Sequence, residues 1–339
     1  MAERVVVHVG PPKSGTTYLQ TMVWTHRETL RRHGVLVPGR TPFDHNLLAT
    51  ATRDDAPGPR ARTRARRLAE VIADWPGTVV VSCEWFADHD GEAPVRFGRL
   101  VAGAPTTVVV TARDLEAVAP AAWQERLKLG FATPLDAFVD GLAEPGGRWS
   151  WTTLDPAVVA RRWSADAIVT VPAERAAPGV LWDRFAAAAG IADVRLEPDV
   201  TVANESLAVG PARLLEVVGP RLREAIDADS SPWPEQYRWL RRFVGHDLLV
   251  PRRGERIALA PAQSSAVRAR SRSTRDALAA EGYAVFGDLA DLTPEHPRPG
   301  VHPASVSDAE LVELAGDLIA DLLRALRAEA ARAEAATRE

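Results

Sequence analysis

Four short runs of apolar, mostly β-branched residues stand out along the chain of 339 residues, and none of them alternates with polar positions. Continuous runs of this length are typical of strands that are buried on both faces of a parallel sheet. The runs are Val5–Val9, Val79–Val81, Thr106–Thr111 and Ile168–Val171. They predict the strands of one parallel sheet.

Helical periodicity fills the intervals between these runs. After the first run, apolar residues recur every three to four positions from Leu19 to Leu30, and Gly34 is a natural C-terminal stop. Further helices are predicted over 61–75, 120–129 and 181–189. Strands that alternate with helices favour right-handed crossovers, so the predicted fold class is α/β, with a three-layer αβα arrangement around a central parallel sheet.

The second half of the chain is predicted to be mostly helical. One helix is expected over 211–222, and Ser307 with Glu310 forms a capping box for another. The second helix carries one apolar stripe that should pack on the domain. The stripe consists of Leu311, Leu314, Ala315, Leu318, Leu322 and Leu326. We expect a single domain over 1–326 and a polar, frayed or exposed tail over 327–339.

Composition narrows the class of protein. The hydrophobic fraction is 46%, the charged fraction is 25% and the net charge is −4, so nothing favours binding to nucleic acid or to an anionic membrane. A single cysteine, Cys83, excludes an internal disulfide and a zinc site of several thiolates. The apolar runs are shorter than a membrane span, and the N-terminal residues lack the usual signal-peptide pattern. These features predict a cytoplasmic protein without a membrane partner.

One local charge run has two interpretations. Five arginines fall within the eight residues 60–67. Such a run is usually the solvated face of a helix, which is the favoured interpretation, and the alternative is a patch for an anionic substrate.

A glycine-rich segment, VGPPKSGTTYLQ, follows the first predicted strand and precedes the first predicted helix. Gly10 and Gly15 have the spacing of a Walker A loop, but Thr16 stands where the lysine belongs, and Lys13 lies before the second glycine. Glycines let backbone N–H groups converge on an anion, and the helix N-terminus adds its positive dipole. The segment is therefore predicted to cradle a phosphate.

The pattern P-K-S-G-T-T-[WY]-L resembles the 5′-phosphosulfate-binding loop of the sulfotransferases that use 3′-phosphoadenosine 5′-phosphosulfate (PAPS), in their bacterial branch. This resemblance implies a P-loop-kinase-like fold, PAPS as the co-substrate and no metal ion. It also implies that Lys13 reaches the oxygen between phosphate and sulfuryl group. A sulfuryl group carries less negative charge than a γ-phosphoryl group, which is consistent with transfer without Mg²⁺. The residues implied to hold the 5′-phosphate are Ser14, Gly15, Thr16, Thr17 and Tyr18.

The resemblance also implies a site for the 3′-phosphate. The family has an arginine at the end of a later strand and a serine eight residues further on. Arg113 fits the arginine, whose guanidinium fork suits a phosphate monoester, but Ala121 stands in place of the serine. Lys128 or the segment 252–254 (RRG) are candidates to compensate. The alternative for Arg113 is a structural salt bridge with a carboxylate at 114 or 116.

The similarity is weaker elsewhere. Residues 113–125, 181–185 and 204–207 are similar to the same bacterial branch. With these segments the similarity covers most of residues 4–210, although the loop alone is specific.

Transfer to an alcohol or an amine needs a base near the acceptor. Glu84, which closes the second predicted strand, is the first candidate, and a structural carboxylate paired with a basic neighbour is its alternative. His45, predicted to lie in a loop after the first helix, is the second candidate, and an exposed loop histidine is its alternative. His8 is expected to be a buried, hydrogen-bonded core residue.

Together these features predict a sulfotransferase that moves a sulfuryl group from PAPS to a hydroxyl or amine of a small metabolite or glycan. The alternatives are a P-loop kinase or NTPase, in which Glu84 would help to hold Mg²⁺, and a non-catalytic nucleotide-binding module. The acceptor site is expected in the segments 40–75 and 131–163. No pattern in the sequence indicates the acceptor itself or the oligomeric state.

Overall fold

The computed structural model describes residues 2–53, 58–173, 177, 179–197, 206–226 and 232–336. Residues 204–205, which belong to one segment of the family resemblance, lie outside the described residues. The last three residues of the predicted polar tail, 337–339, also lie outside them.

Six strands, five from the first 170 residues and one from residues 284–286, form one parallel sheet. Its strands lie in the order β2-β3-β1-β4-β5-β6. They are β1 (Arg4–His8), β2 (Val35–Leu36), β3 (Thr78–Ser82), β4 (Thr106–Ala112), β5 (Ala167–Thr170) and β6 (Ala284–Phe286). The four predicted strands are confirmed, and the two that sequence patterning missed, β2 and β6, are the short edge strands.

Helices make up most of the remaining described structure. They are α1 (Thr16–Thr25), α2 (Arg27–Arg32), α3 (Phe43–Ala51), α4 (Pro59–Asp74), α5 (Ala93–Leu100), α6 (Leu115–Leu127), α7 (Leu135–Gly141), α8 (Trp151–Leu154), α9 (Pro156–Trp163), α10 (Val180–Ala188), α11 (Val209–Ile226), α12 (Pro232–Glu235), α13 (Pro261–Ala280) and α14 (Asp308–Ala336). A π-helix spans Gln236–Leu249, and 3₁₀ turns span Glu84–Asp88, Leu289–Leu292 and Pro303–Ser305.

Alternate residues of the central strands enter two separate apolar clusters. On β1, Val5 and Val7 belong to one cluster and Val6 to the other. The first cluster includes residues of α4, α5, α9 and α13, and the second includes residues of α1, α2 and α10. Both faces of the sheet are therefore covered by helices, which explains the uninterrupted apolar runs. The predicted three-layer α/β fold with a mostly helical C-terminal part is confirmed.

The strand order reverses direction at β1. The chain first runs to β2 and β3 on one side of β1 and then to β4, β5 and β6 on the other. In open α/β sheets, ligands bind outside the carboxyl ends of the strands at such a switch point. The segments that follow β1, β3 and β4 are therefore neighbours at the carboxyl ends of the strands.

The chain divides into two compact units. The first comprises 1–118, 141–202 and 265–297, and the second comprises 119–140, 203–264 and 298–339. The single domain expected over 1–326 stays a prediction. In the second unit, α14 continues through Ala336, so the segment that follows residue 326 is helical as far as it is described.

The long helix α14 confirms its predicted start and corrects part of its predicted stripe. Ser307 Oγ and the Glu310 carboxylate form the capping box, with Ser307 N donating to Glu310 Oε2 over 2.8 Å. Leu318 is buried, but Leu326 is 68% exposed and does not belong to the inward stripe. Its position, eight residues after Leu318, carries it around the helix to the solvent side.

The arginine-rich segment lies on α4. Ala65 and Leu68 of this helix are buried, whereas all five arginines are exposed. This arrangement is the solvated helix face that was the favoured interpretation. An anionic substrate on this face stays an untested alternative.

Candidate functional site

The loop between β1 and α1 is fitted so closely that its glycines cannot carry a side chain. A Cβ atom on Gly10 would lie 2.2 Å from Thr16 Cγ2 and 2.9 Å from Thr111 Oγ1. Gly15 has φ +84°, and its Cβ would lie 2.7 Å from Leu181 Cδ2. The loop is therefore packed tightly against α1, β4 and α10, and both positions need glycine.

Lys13 lies within this loop in an unusual conformation. Its φ is +69°, a left-handed conformation that costs a non-glycine residue on the order of 1 kcal/mol. The Lys13 carbonyl accepts a hydrogen bond of 2.9 Å from Arg113 Nη1. The structure thus brings together two of the predicted site residues, from the ends of β1 and β4.

A chain of buried hydrogen bonds fixes the underside of the loop. Ser82 Oγ lies 2.7 Å from His8 Nδ1, and Thr111 Oγ1 lies 3.3 Å from His8 Nε2. Thr111 Oγ1 also lies 2.6 Å from Ser14 Oγ, which donates to the Pro11 carbonyl over 2.6 Å. The chain links β3, β1, β4 and the loop.

Because each hydroxyl has one proton, the direction of this chain is determined from its end. Ser14 donates to Pro11, so Thr111 donates to Ser14 and His8 donates to Thr111 through Nε2. The Nδ1 atom of His8 then accepts from Ser82. This arrangement requires a neutral imidazole, and complete burial lowers the pKa of His8 to about 3. The expectation that His8 is a buried, bonded core histidine is confirmed.

Ser14 has a structural role in this conformation. Its hydroxyl and its backbone N–H both donate to the Pro11 carbonyl, and its side chain is buried. The predicted contact between Ser14 and a 5′-phosphate is therefore unsupported by this geometry. Gly15, Thr16 and Thr17 open α1 and present the helix N-terminus.

Glu84 begins the 3₁₀ turn after β3 and faces the first turn of α1. Thr16 Oγ1 donates to Glu84 Oε2 over 3.3 Å, and Arg148 forms an ion pair with Glu84 Oε1. Both members of the ion pair are partly exposed. The Arg148 guanidinium also lies 5.6 Å from the ring centre of Trp85 and 5.9 Å from that of Trp149. The carboxylate is thus accessible but paired with a cation.

His45 lies on helix α3 and not in the predicted loop, and its side chain is fully buried. Its Nε2 donates to the Pro38 carbonyl over 3.1 Å, and its Nδ1 accepts from Ser82 N over 3.2 Å. Burial is the main cause that lowers the pKa of His45, to about 4. Both nitrogens are engaged with the backbone, so this geometry does not favour His45 as the base.

Tyr18 lies on α1, is partly buried and packs against the apolar cluster that contains residues of α10. Burial, followed by the negative charge of Asp183, raises the pKa of its hydroxyl. The side chain is thus placed against α10. Its predicted contact with the 5′-phosphate stays a prediction.

The candidates for the 3′-phosphate have different surroundings. In the first unit, Glu116 pairs with Arg268 over 3.1 Å. In the second unit, Lys128 is buried and lies 3.1 Å from Glu125. Arg252, also in the second unit, pairs with two carboxylates of α14 over 2.9 and 2.6 Å. Lys128 and Arg252 are therefore engaged in structural ion pairs, and Arg113 donates to the Lys13 carbonyl. The role of Arg113 at a 3′-phosphate stays a prediction.

Sequence patterning missed the partners that shape this site. Arg148 is 64 residues away from Glu84, and Ser82 and Thr111 look like ordinary strand residues. Only the register of the sheet, which pairs His8 with Ser82, could have indicated the hydrogen-bond chain. Among the described residues, no three His, Cys, Asp or Glu side chains gather as a metal-binding group, and no helix is long and apolar enough to cross a membrane.

Comparison with known proteins adds nothing to these observations: no protein-family model, curated protein or solved structure matches the chain.

Proposed function

We propose that this protein is a PAPS-dependent sulfotransferase that acts on a hydroxyl or amine of a small metabolite or glycan. The observation that carries the proposal is the position of Lys13. The residue lies inside a tight glycine loop, in a left-handed conformation, with its carbonyl bonded to Arg113. A Walker A loop has its lysine on the helix after the second glycine, where this chain has Thr16, bonded to Glu84.

The loop has the glycines that a phosphate cradle needs: a Cβ atom at Gly10 would meet Thr16 of α1, and one at Gly15 would meet Leu181 of α10. When bound, PAPS would supply the sulfuryl group and a 5′-phosphate leaving group. The N-terminus of α1, with Gly15, Thr16 and Thr17, would hold that phosphate. Lys13 would place a positive charge on the oxygen from which the sulfuryl group departs. Arg113 would bind the 3′-phosphate.

Glu84 is the proposed base. It is partly exposed at the sheet edge, so an acceptor hydroxyl or amine could reach it. Its carboxylate would take the acceptor proton while Arg148 holds the side chain in place. The indoles of Trp85 and Trp149 lie beside the Arg148 guanidinium and help to position it. The proposal places this reaction in the cytoplasm, in keeping with the single, buried cysteine.

Ligand-induced thermal stabilisation tests the donor. We expect 3′-phosphoadenosine 5′-phosphate to stabilise the protein in EDTA, by about 3 kcal/mol at a concentration of 100 times its Kd. ATP with Mg²⁺ should stabilise it little. The reverse ranking would refute the proposal in favour of a kinase or NTPase, and stabilisation without turnover on any acceptor would favour a nucleotide-binding module.

Substitutions at two residues test the chemistry. Lys13→Ala should abolish transfer with the fold intact by circular dichroism, whereas Lys13→Arg keeps the charge and serves as the control. Unchanged activity in Lys13→Ala would show that the loop is misinterpreted. Glu84→Gln keeps the size and a hydrogen-bond partner for Thr16, and should lower the transfer rate at least about tenfold. A rate within twofold of the wild type would remove Glu84 as the base.

A further inference from the structure

The helix α14 carries a second apolar stripe on its solvent side. Its large members are Val312, Ile319, Leu323 and Leu326, which are 71%, 66%, 56% and 68% exposed. Gly316 and Ala330 continue the same line, and a Cβ atom at Gly316 would meet nothing within 4 Å. Successive members are separated alternately by four and three residues, which is the spacing of the core positions of a coiled coil.

The opposite side of α14 is anchored in its own unit. Leu318 is buried, Leu314 lies against Gly210 of α11, and Arg252 pairs with the carboxylates of Asp317 and Asp321. The helix is therefore held in place on one side. The outer stripe is a separate feature, because the residues of the inward side already pack within the second unit.

We infer that a second copy of this chain covers the outer stripe, so that two α14 helices pair as an antiparallel coiled coil. The helix has 29 residues and is about 43 Å long, enough for three to four heptads. The four large side chains of the outer stripe in each copy, eight in the dimer, would each bury on the order of 100 Å². With their flanking residues they reach the roughly 1,000 Å² that a specific interface needs.

Charge favours the antiparallel orientation. With Ile319 opposite Leu323 of the partner, Glu313 comes within one turn of Arg327 of the other copy, and two-fold symmetry repeats the pair. All four are exposed. These residues flank the core positions, where oppositely charged side chains set partner orientation in coiled coils.

A parallel pair would instead place like charges together. It would bring Asp308 near Glu313 of the other copy, and Glu329 near Glu334 of the other copy. Four carboxylates per helix would then face carboxylates. The same stripe therefore favours one orientation over the other.

Sedimentation and light scattering of the full chain test the assembly. We expect a dimer at micromolar concentration, and Leu323→Glu should raise the dissociation constant at least about tenfold. Val71→Glu, on α4, is the matched control, because Val71 is also more than half exposed but lies outside the stripe. A monomer at about 100 µM, or equal effects of both variants, would overturn the inference.

Charge reversal and cross-linking test the orientation. Glu313→Arg and Arg327→Glu should each weaken the dimer, and the double variant should restore it. Val312→Cys combined with Ala330→Cys should form a disulfide-linked dimer, whereas Val312→Cys alone should not; the native Cys83 is buried and gives little background. A disulfide dimer of the Val312→Cys variant alone, or a double charge variant as weak as the single ones, would overturn the antiparallel arrangement.

Discussion

Replacing His8 with asparagine should make the protein less sensitive to acid. His8 is buried, neutral and bonded on both sides, and burial lowers its pKa to about 3. In the unfolded chain a histidine titrates near 6.5. Between these values the unfolded state binds one more proton than the folded state, so the free energy of unfolding falls as the pH falls. Asparagine cannot take up this proton.

The size of the effect follows from the two pKa values. One proton is worth about 1.4 kcal/mol per pH unit, so between pH 7.5 and pH 5 His8 costs the wild type about 2 kcal/mol of stability. At pH 7.5 His8→Asn should be less stable by about 1–3 kcal/mol, because it disturbs a buried hydrogen-bond chain. The difference between wild type and variant should therefore shrink by about 2 kcal/mol as the pH is lowered.

Urea denaturation followed by tryptophan fluorescence, at half-unit steps between pH 7.5 and pH 5, measures this difference. His296→Asn is the control, since His296 is exposed and its replacement should leave the curve unchanged. A difference between wild type and His8→Asn that is constant with pH would refute the neutral, buried assignment of His8.

Three further predictions concern the loop between β1 and α1 and the residues at the end of β4 that contact it. Gly10→Ala should lower the affinity for 3′-phosphoadenosine 5′-phosphate at least about tenfold in calorimetry, because the added methyl cannot fit; unchanged affinity would contradict the close packing. Thr111→Val should lower the free energy of unfolding by about 1–3 kcal/mol, since it leaves buried polar groups without a partner. Thr107→Val, on the same strand but partly exposed, should change it by less than about 0.5 kcal/mol, and equal effects would contradict the chain of bonds. Arg113→Gln should reduce the preference for PAPS over adenosine 5′-phosphosulfate, which lacks the 3′-phosphate, and a preserved ratio of kcat/KM would contradict the assigned role.

The sequence was most informative where structure depends on local pattern. Continuous apolar runs predicted β1, β3, β4 and β5, because strands covered on both faces need no polar alternation. The edge strand β2 has only two residues, too few for any periodicity to appear. The segment around His45 has polar and aromatic residues that favour a loop, but its buried residues, His45, Leu48 and Ala49, recur at helical spacing and the segment forms α3.

The site residues also divide into those that a local sequence pattern indicates and those that depend on distant contacts. Lys13 and Gly15 were predicted from one short segment, VGPPKSGTTYLQ, and Arg113 from the resemblance of the chain to the PAPS-dependent sulfotransferases. The ion pair of Glu84 with Arg148 joins distant segments, and no local pattern specifies it. The hydrogen bond that Ser14 Oγ donates to the Pro11 carbonyl depends on the path of the loop backbone, which sequence spacing does not determine.

The hydrogen bond from Arg113 to the carbonyl of Lys13 makes the two ends of the proposed donor site thermodynamically dependent on each other. A ligand group that reorients Arg113 alters the support of the strained Lys13 backbone, and a change at Lys13 must in turn alter affinity at Arg113. In the proposed reaction, binding of the nucleotide at Arg113 and the backbone conformation of Lys13 are then coupled. A double-mutant cycle that combines Arg113→Gln with Lys13→Gly, which relieves the left-handed strain and keeps the carbonyl, would give a coupling free energy different from zero.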